Sequence, residues 1–151
     1  MGIFAQVFFM ACLPLIELKG AIPYGIAFGL PIWTTFLLAY LGAALPVPFI
    51  LLFLKPVMAW LKKSTKPFRK FANWLEQRSE KKGGKIAKYE YPALFVFVAI
   101  PLPTTGVWTG ALIATLLDLD FKKSLLTILL GNLVAGIIML LFSQFFFGVI
   151  L

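Results

Sequence analysis

A carboxylate and an amine lie two residues apart within an otherwise apolar stretch, as Glu17 and Lys19 in the sequence ELKGAIPYG. An ionisable side chain in such a stretch is costly unless it is paired or hydrated, so it marks by default a path for an ion, a proton or a substrate. Burial favours the protonated carboxyl, whereas a neighbouring cation favours the carboxylate. The pair therefore predicts a carboxyl that exchanges a proton for a cationic substrate, beside a helix break at Gly20 and Pro23. The alternative is a lipid-facing ion pair at the membrane interface.

A second group of candidate site residues lies in the sequence PLPTTGVWTG. A helix that restarts after Gly106 has free N–H groups, which favour an anion. Equally, threonine hydroxyls can satisfy backbone groups that prolines leave unpaired. Asn132, in the last apolar segment, is predicted to face the protein interior and bond to a hairpin carbonyl. The residues of the PLPTTGVWTG segment predicted to line the site are Pro101, Pro103, Thr104, Thr105 and Trp108.

The residue types exclude several kinds of chemistry. The chain has no histidine and a single cysteine, Cys12, so neither a zinc site nor an internal disulfide is expected. An active site needs a nucleophile with a base, or paired carboxylates, in one pocket. No second acidic residue lies in a predicted intramembrane segment, so we predict that the protein is not an enzyme and needs no cofactor or metal.

The elements that carry these residues are those of an integral membrane protein. Of the 151 residues, 61% are hydrophobic and 13% are charged, whereas a soluble domain is roughly 45–50% apolar. Two segments are long enough to cross a hydrocarbon core as helices, residues 32–54 and 122–151. The first is uncharged, and the second is uncharged from Ser124 onward. The N-terminal apolar run lacks the basic residues of a secretory signal, so we expect it to belong to the folded protein.

Two further apolar segments, residues 1–30 and 92–117, are interrupted and too short on either side of the break to cross a membrane. The first break is predicted at ELKG, between apolar arms 4–16 and 21–30, and the second at PLPTTG. Each segment is predicted to form a re-entrant helical hairpin. The predicted fold is therefore an all-α membrane domain, in which two units of hairpin plus transmembrane helix form an inverted repeat.

The distribution of charge predicts the orientation of the chain. Of 14 basic residues, 11 lie between Lys55 and Lys88, so segment 55–91 is predicted to be cytoplasmic in a multi-pass protein of the cell membrane. The net charge of +8 is explained by that segment, so no nucleic-acid partner is expected. Phe68, Phe71, Trp74 and Leu75 follow helical spacing and predict an interfacial amphipathic helix that contacts membrane lipids.

Three segments resemble one family: ELKGAIPYGIAFGLP, PLPTTGVWTGALIATLLDLDFKKS and GNLVAG. They look like the bacterial and archaeal small multidrug export proteins, whose layout is similar to that of the DedA or VTT superfamily. That resemblance implies proton-coupled export or lipid translocation, with the acidic residue of the first hairpin and polar residues of the second as the site. Where the DedA pattern has arginines in its second hairpin, this chain has Thr104 and Thr105.

The function predicted from the residues and the resemblance is a small transporter. Its substrate would be a small cationic or amphipathic compound or a lipid, bound at the hairpin tips. The alternatives are a DedA-like lipid translocase or scramblase and a membrane protein with a structural role. Because two spans and two hairpins contain too little protein to shield the polar tips from lipid, a homodimer is expected.

Overall fold

The computed structural model describes residues 2–64, 70, 87–103 and 105–150. Within these ranges the secondary structure is entirely helical. The seven helices are α1 (Ile3–Cys12), α2 (Glu17–Ala27), α3 (Ile32–Ala44), α4 (Pro46–Ser64), α5 (Ala87–Ala99), α6 (Val107–Leu116) and α7 (Phe121–Ile150). The predicted all-α class is confirmed, and the amphipathic helix predicted from Phe68 to Leu75 lies outside the described residues.

Two stretches are long and apolar enough to cross a membrane, Ile32–Leu54 and Phe121–Gly148. The first is divided between α3 and α4 at Leu45, beside Pro46 and Pro48. No more than a third of the apolar part of either stretch is buried inside the fold. Large apolar side chains such as Leu52 and Phe142 are therefore exposed, as suits a surface that faces lipid.

The first helix break does not lie where the sequence predicted it. ELKGAIPYGIA forms helix α2 as a whole, and the break is at Leu13–Ile16. Pro14 lies in this break, and proline cannot donate the backbone hydrogen bond that would continue α1. Pro23 is accommodated inside α2, and Glu17 is the first residue of that helix rather than part of a broken centre. The second break, between α5 and α6, lies at PLPTTG as predicted.

Glycines bring α3 close to α1, and α7 close to α5. A Cβ at Gly42 of α3 would collide with the carbonyl oxygen of Phe8 in α1. In the same way, a Cβ at Gly131 of α7 would lie 3.0 Å from the carbonyl oxygen of Phe95 in α5. Backbones this close pack without an intervening side chain, which is how small residues act in membrane helix pairs.

Helices α3 and α7 pack in antiparallel orientation. The hydroxyl of Tyr40 donates a hydrogen bond to the carbonyl oxygen of Leu129 at 3.2 Å. Phe36 lies one turn before Tyr40 in α3, and its ring packs against Gly136, which lies seven residues after Leu129 in α7. The contact partners therefore run in opposite directions along the two helices, and α2 packs beside them through Leu18 and Gly136.

Candidate functional site

Glu17 connects the first helix pair, α1–α2, to the second helix pair, α5–α6. It starts α2 in a left-handed conformation, with φ at 50°, and only 5% of the residue is exposed. Its Oε1 atom accepts a hydrogen bond from the backbone N–H of Trp108 at 3.2 Å. Trp108 lies in the first turn of α6, which has no acidic residue and no side-chain cap of its own. Glu17 therefore acts as the N-terminal cap of a helix 90 residues away in sequence.

Gly106 makes room for that carboxylate. It precedes α6 with φ at 147°, a conformation that side chains rarely adopt. A Cβ built on Gly106 would overlap the Oε2 atom of Glu17. A bound anion was one of the two alternatives predicted for this helix start, and the chain's own carboxylate lies there.

Lys19 is the nearest cation to Glu17. Its Nζ atom lies 3.6 Å from Oε2 of Glu17 and donates a hydrogen bond of 2.6 Å to the carbonyl oxygen of Leu102. Leu102 is in the break between α5 and α6, so the ammonium is shared between the two helix pairs. The two charged side chains are 6% and 15% exposed, which makes the ion pair largely desolvated.

Trp108 makes the matching connection in the opposite direction. Its Nε1–H group donates to the carbonyl oxygen of Cys12, at the end of α1, with a distance of 3.1 Å. That carbonyl is at a helix C-terminus and has no partner within its own helix, so the indole N–H provides one. Lys19 and Trp108 therefore each bond to a carbonyl in the other helix pair, and together they hold the two helix breaks against each other.

Replacing Trp108 by phenylalanine is expected to lower stability by about 1–2 kcal/mol, because the carbonyl of Cys12 loses its donor while most of the ring packing is kept. Thermal unfolding of the purified protein in detergent measures the change. Trp33→Phe is the matched control, since that ring is 75% exposed. Equal losses in the two variants would contradict a structural role for the Trp108 hydrogen bond.

Thr105 organises the second break rather than offering a free hydroxyl. Its Oγ1 atom donates to the carbonyl oxygens of Ile100 and Leu102, at 2.5 and 3.1 Å, and accepts from the N–H of Leu102 at 3.1 Å. This is the backbone role that the sequence left as one of two alternatives. Pro101 and Pro103 lie in the same break, and Thr104 lies outside the described residues.

The remaining predicted site residues lie in helices. Gly20 and Pro23 are inside α2, where a Cβ at Gly20 would meet the side chain of Ile16. Asn132 is 3% exposed, and its Nδ2 atom has no hydrogen-bond partner within the described part of the chain. It lies one turn before Gly136, on the side of α7 that packs toward α2. Asn132 is therefore buried as expected, without the predicted bond to a hairpin carbonyl.

An apolar groove of about 750 Å³ lies next to Trp108. Its walls come from the first break, from α4 and from the start of α6, and include Cys12, Phe49, Phe53, Trp108 and Leu112. Sequence patterns gave no signal for it, because the groove is formed by segments far apart in the chain. A large apolar groove is typical of a ligand site, and Trp108 connects this one to the ion pair through its bond with Glu17.

These features define an all-helical membrane protein whose two helix pairs meet at a buried ion pair. The family described as "Putative small multi-drug export protein" matches residues 17–138, which is most of the chain, so the chain belongs to this family. The predicted family is thereby confirmed. No curated protein and no solved structure matches the chain.

Proposed function

We propose that the protein is a proton-coupled transporter that exports a small cationic or amphipathic compound, with Glu17 as the group that binds the proton and the substrate in turn. The observation that carries this proposal is the position of the Glu17 carboxylate, buried between the two helix breaks and held there by Lys19 and the N-terminus of α6. A desolvated carboxylate inside a membrane protein serves by default in an ion or proton path. The family's description, which names export, agrees with transport.

An internal repeat supports this function. Among the described residues, four have a positive φ: Glu17, Gly29, Gly106 and Asp118. They form two pairs, Glu17 with Gly106 and Gly29 with Asp118, and the members of each pair are 89 positions apart. In each half, one residue with a positive φ lies at the start of the second helix and the other lies just after its end. The recurrence of positive φ at one interval supports a repeat of the two halves.

Side chains and packing follow the same interval of 89 residues. Lys19 corresponds to Trp108, and each donates to a carbonyl in the opposite break. Gly42 corresponds to Gly131, and each allows close approach of the preceding helix pair. Because α3 and α7 are antiparallel, we infer that the units have opposite orientation, as in the inverted repeats of many secondary transporters.

The repeat also suggests where Glu17 lies relative to the membrane. In a two-fold arrangement, a residue that contacts its own counterpart must lie on the axis. Glu17 contacts its counterpart Gly106, and Tyr40 bonds to its counterpart Leu129. For inverted repeats this axis runs in the membrane plane, so Glu17 would be near the bilayer centre. The helix pairs α1–α2 and α5–α6 would then be re-entrant hairpins whose breaks meet there.

The chemistry of transport follows from this position. In the unloaded protein, Lys19 supplies the positive charge that Glu17 requires. A cationic substrate would displace the ammonium, which retains its bond to the carbonyl oxygen of Leu102. A proton arriving from the opposite side neutralises Glu17 and releases the substrate. The basic segment 55–91 would orient this cycle, since such segments remain on the cytoplasmic side.

Glu17→Gln tests the proposal, because the amide keeps the shape of the side chain but carries no charge and cannot bind and release a proton. With the purified protein in liposomes, a proton gradient is expected to drive uptake of a lipophilic cation by the native chain and not by the variant, a loss of about 100-fold. Glu90→Gln is the matched control, being the same change in α5. Gradient-driven flux that survives in Glu17→Gln would sink the mechanism.

A lipid scramblase would give a different result in the same liposomes. Labelled lipid would then cross the bilayer without a gradient, and Glu17→Gln would have little effect on its rate. The hairpin arrangement is tested separately by cysteine labelling from each side of the membrane, in a Cys12→Ser background. Cysteines introduced at Gly2 and Gly29 should react from the same side, because a hairpin returns to the face it left.

A further inference from the structure

The apolar groove beside Trp108 has the size and composition of a small-molecule site. Its volume of about 750 Å³ falls within the range of roughly 300–1,000 Å³ typical of such sites. One wall is aromatic, because the rings of Phe49 and Phe53 in α4 stack with their centroids 6.3 Å apart. Both side chains are more than half exposed, so they present their surface to the groove and to lipid instead of packing in the core.

The groove is open toward the membrane. Most of its α4 wall lies within Ile32–Leu54, one of the two stretches long and apolar enough to cross a membrane. Phe49 and Phe53 lie in that part of the wall, and Leu15 at the first break is exposed as well. A compound dissolved in the hydrocarbon could therefore reach the groove laterally, without passing through water.

Trp108 connects the groove to the carboxylate of Glu17. Trp108 forms part of the groove wall, and its own backbone N–H bonds to Oε1 of Glu17. Lys19, the balancing cation, is on the side of the other carboxylate oxygen, Oε2, and is not a groove residue. Glu17 does not line the groove either, so a ligand there is separated from the carboxylate by Trp108, whose indole ring itself attracts cations.

We propose that this groove binds the hydrophobic body of a lipophilic organic monocation taken from the bilayer, with the charge directed toward Trp108 and Glu17. This inference rests on the proposed function and adds a binding site and a route of access to it. The apolar and aromatic walls recognise the body, and the carboxylate behind Trp108 selects its sign of charge. A bilayer lipid without net positive charge fits the walls but gains nothing from Glu17.

The native chain carries its own reporter for the groove. Cys12 is a groove residue and the only cysteine in the sequence, so a maleimide modifies one position. The experiment follows the rate of N-ethylmaleimide addition by intact mass, with the full-length protein in nanodiscs. Tetraphenylphosphonium and tetraphenylborate are the probes, because they have nearly the same size and shape and opposite charge.

Tetraphenylphosphonium is expected to slow Cys12 modification in a saturable way, and tetraphenylborate to need at least about tenfold higher concentration for the same effect. In Glu17→Gln the two probes should protect Cys12 equally, since the walls remain and the charge is gone. Phe53→Ala should raise the half-protecting concentration of tetraphenylphosphonium about tenfold through loss of ring contact. Phe145→Ala is the control, an exposed phenylalanine of α7 outside the groove.

Three outcomes would overturn the inference. They are no protection by either probe, equal protection by both probes in the native chain, and equal effects of Phe53→Ala and Phe145→Ala. Protection that a zwitterionic lipid added in excess removes would identify a lipid chain as the occupant and also overturn it. None of these depends on proton coupling, so failure of the groove is distinguishable from failure of the transport mechanism at Glu17.

Discussion

Gly106→Ala is expected to destabilise the protein by about 3 kcal/mol or more and to abolish transport. Two effects add in this variant. Gly106, with φ at 147° and ψ at −167°, lies in a backbone region that is essentially restricted to glycine and costs other residues about 1–3 kcal/mol. In addition, the new methyl group would occupy the space of the Glu17 carboxylate. The carboxylate must then leave the N-terminus of α6, and its hydrogen bond with the N–H of Trp108 is lost.

Gly29→Ala separates the two effects. Gly29 also has a positive φ, at 81°, but a Cβ there would meet nothing within 4 Å. This control therefore carries the backbone strain without the collision. Thermal unfolding in detergent and gradient-driven flux in liposomes are measured for both variants. If Gly29→Ala lost as much stability and flux as Gly106→Ala, the fit between Gly106 and the carboxylate would not be what matters.

Composition and hydropathy were sufficient for the coarse fold. The length of an uncharged apolar run is a local property that relates directly to the thickness of a bilayer, so the helices at Ile32–Leu54 and Phe121–Gly148 could be predicted. Pro101 and Pro103 likewise predicted the break before α6, because proline acts on its own backbone. The prediction of the first break at ELKG was wrong, because Pro14 ends α1 before that sequence begins. In the folded protein, packing against other helices keeps Glu17 and Lys19 inside α2.

From residue types and spacing, the candidate site could be predicted only as separate parts, whereas the family resemblance implied that the two breaks form one site. Glu17 and Lys19 stood out because a charge in an apolar segment is conspicuous, and Trp108 because it follows the second break. Their mutual arrangement depends on contacts between residues about 90 positions apart, which single-sequence patterns do not encode. The pairing of Glu17 with Gly106 illustrates this. A glycine in sequence indicates freedom of the backbone, whereas here its missing side chain is the space that a distant carboxylate fills.

The interval of 89 residues became visible only from backbone angles. Glu17 and Gly106 have nothing in common as residue types, and neither do Lys19 and Trp108. In the repeat that we propose, the members of these pairs share a positive φ or a hydrogen bond to a carbonyl of the opposite break, and no side chain. In such a repeat, the first unit contributes the charges and the second contributes the helix N-terminus and the indole.

Lys19→Met is the second substitution expected to have a large effect. Removing one partner of a desolvated ion pair leaves the other charge uncompensated, at a cost of about 3 kcal/mol. Glu17 would keep only its N–H donors at the start of α6, and the carbonyl of Leu102 would lose the ammonium that bonds to it. The variant is therefore expected to unfold at a lower temperature and to lose gradient-driven flux.

The double variant Lys19→Met with Glu17→Gln distinguishes stability from function. With both charges removed no buried charge is left unpaired, so most of the lost stability should return, while flux should remain absent because no proton-binding group is present. Thermal unfolding and flux measured on the two single variants and the double variant complete the cycle. If the two losses of stability simply added, Glu17 and Lys19 would not be coupled in the folded protein. If flux returned together with stability, the ion pair would have a structural role only, and proton exchange would have to occur at another residue.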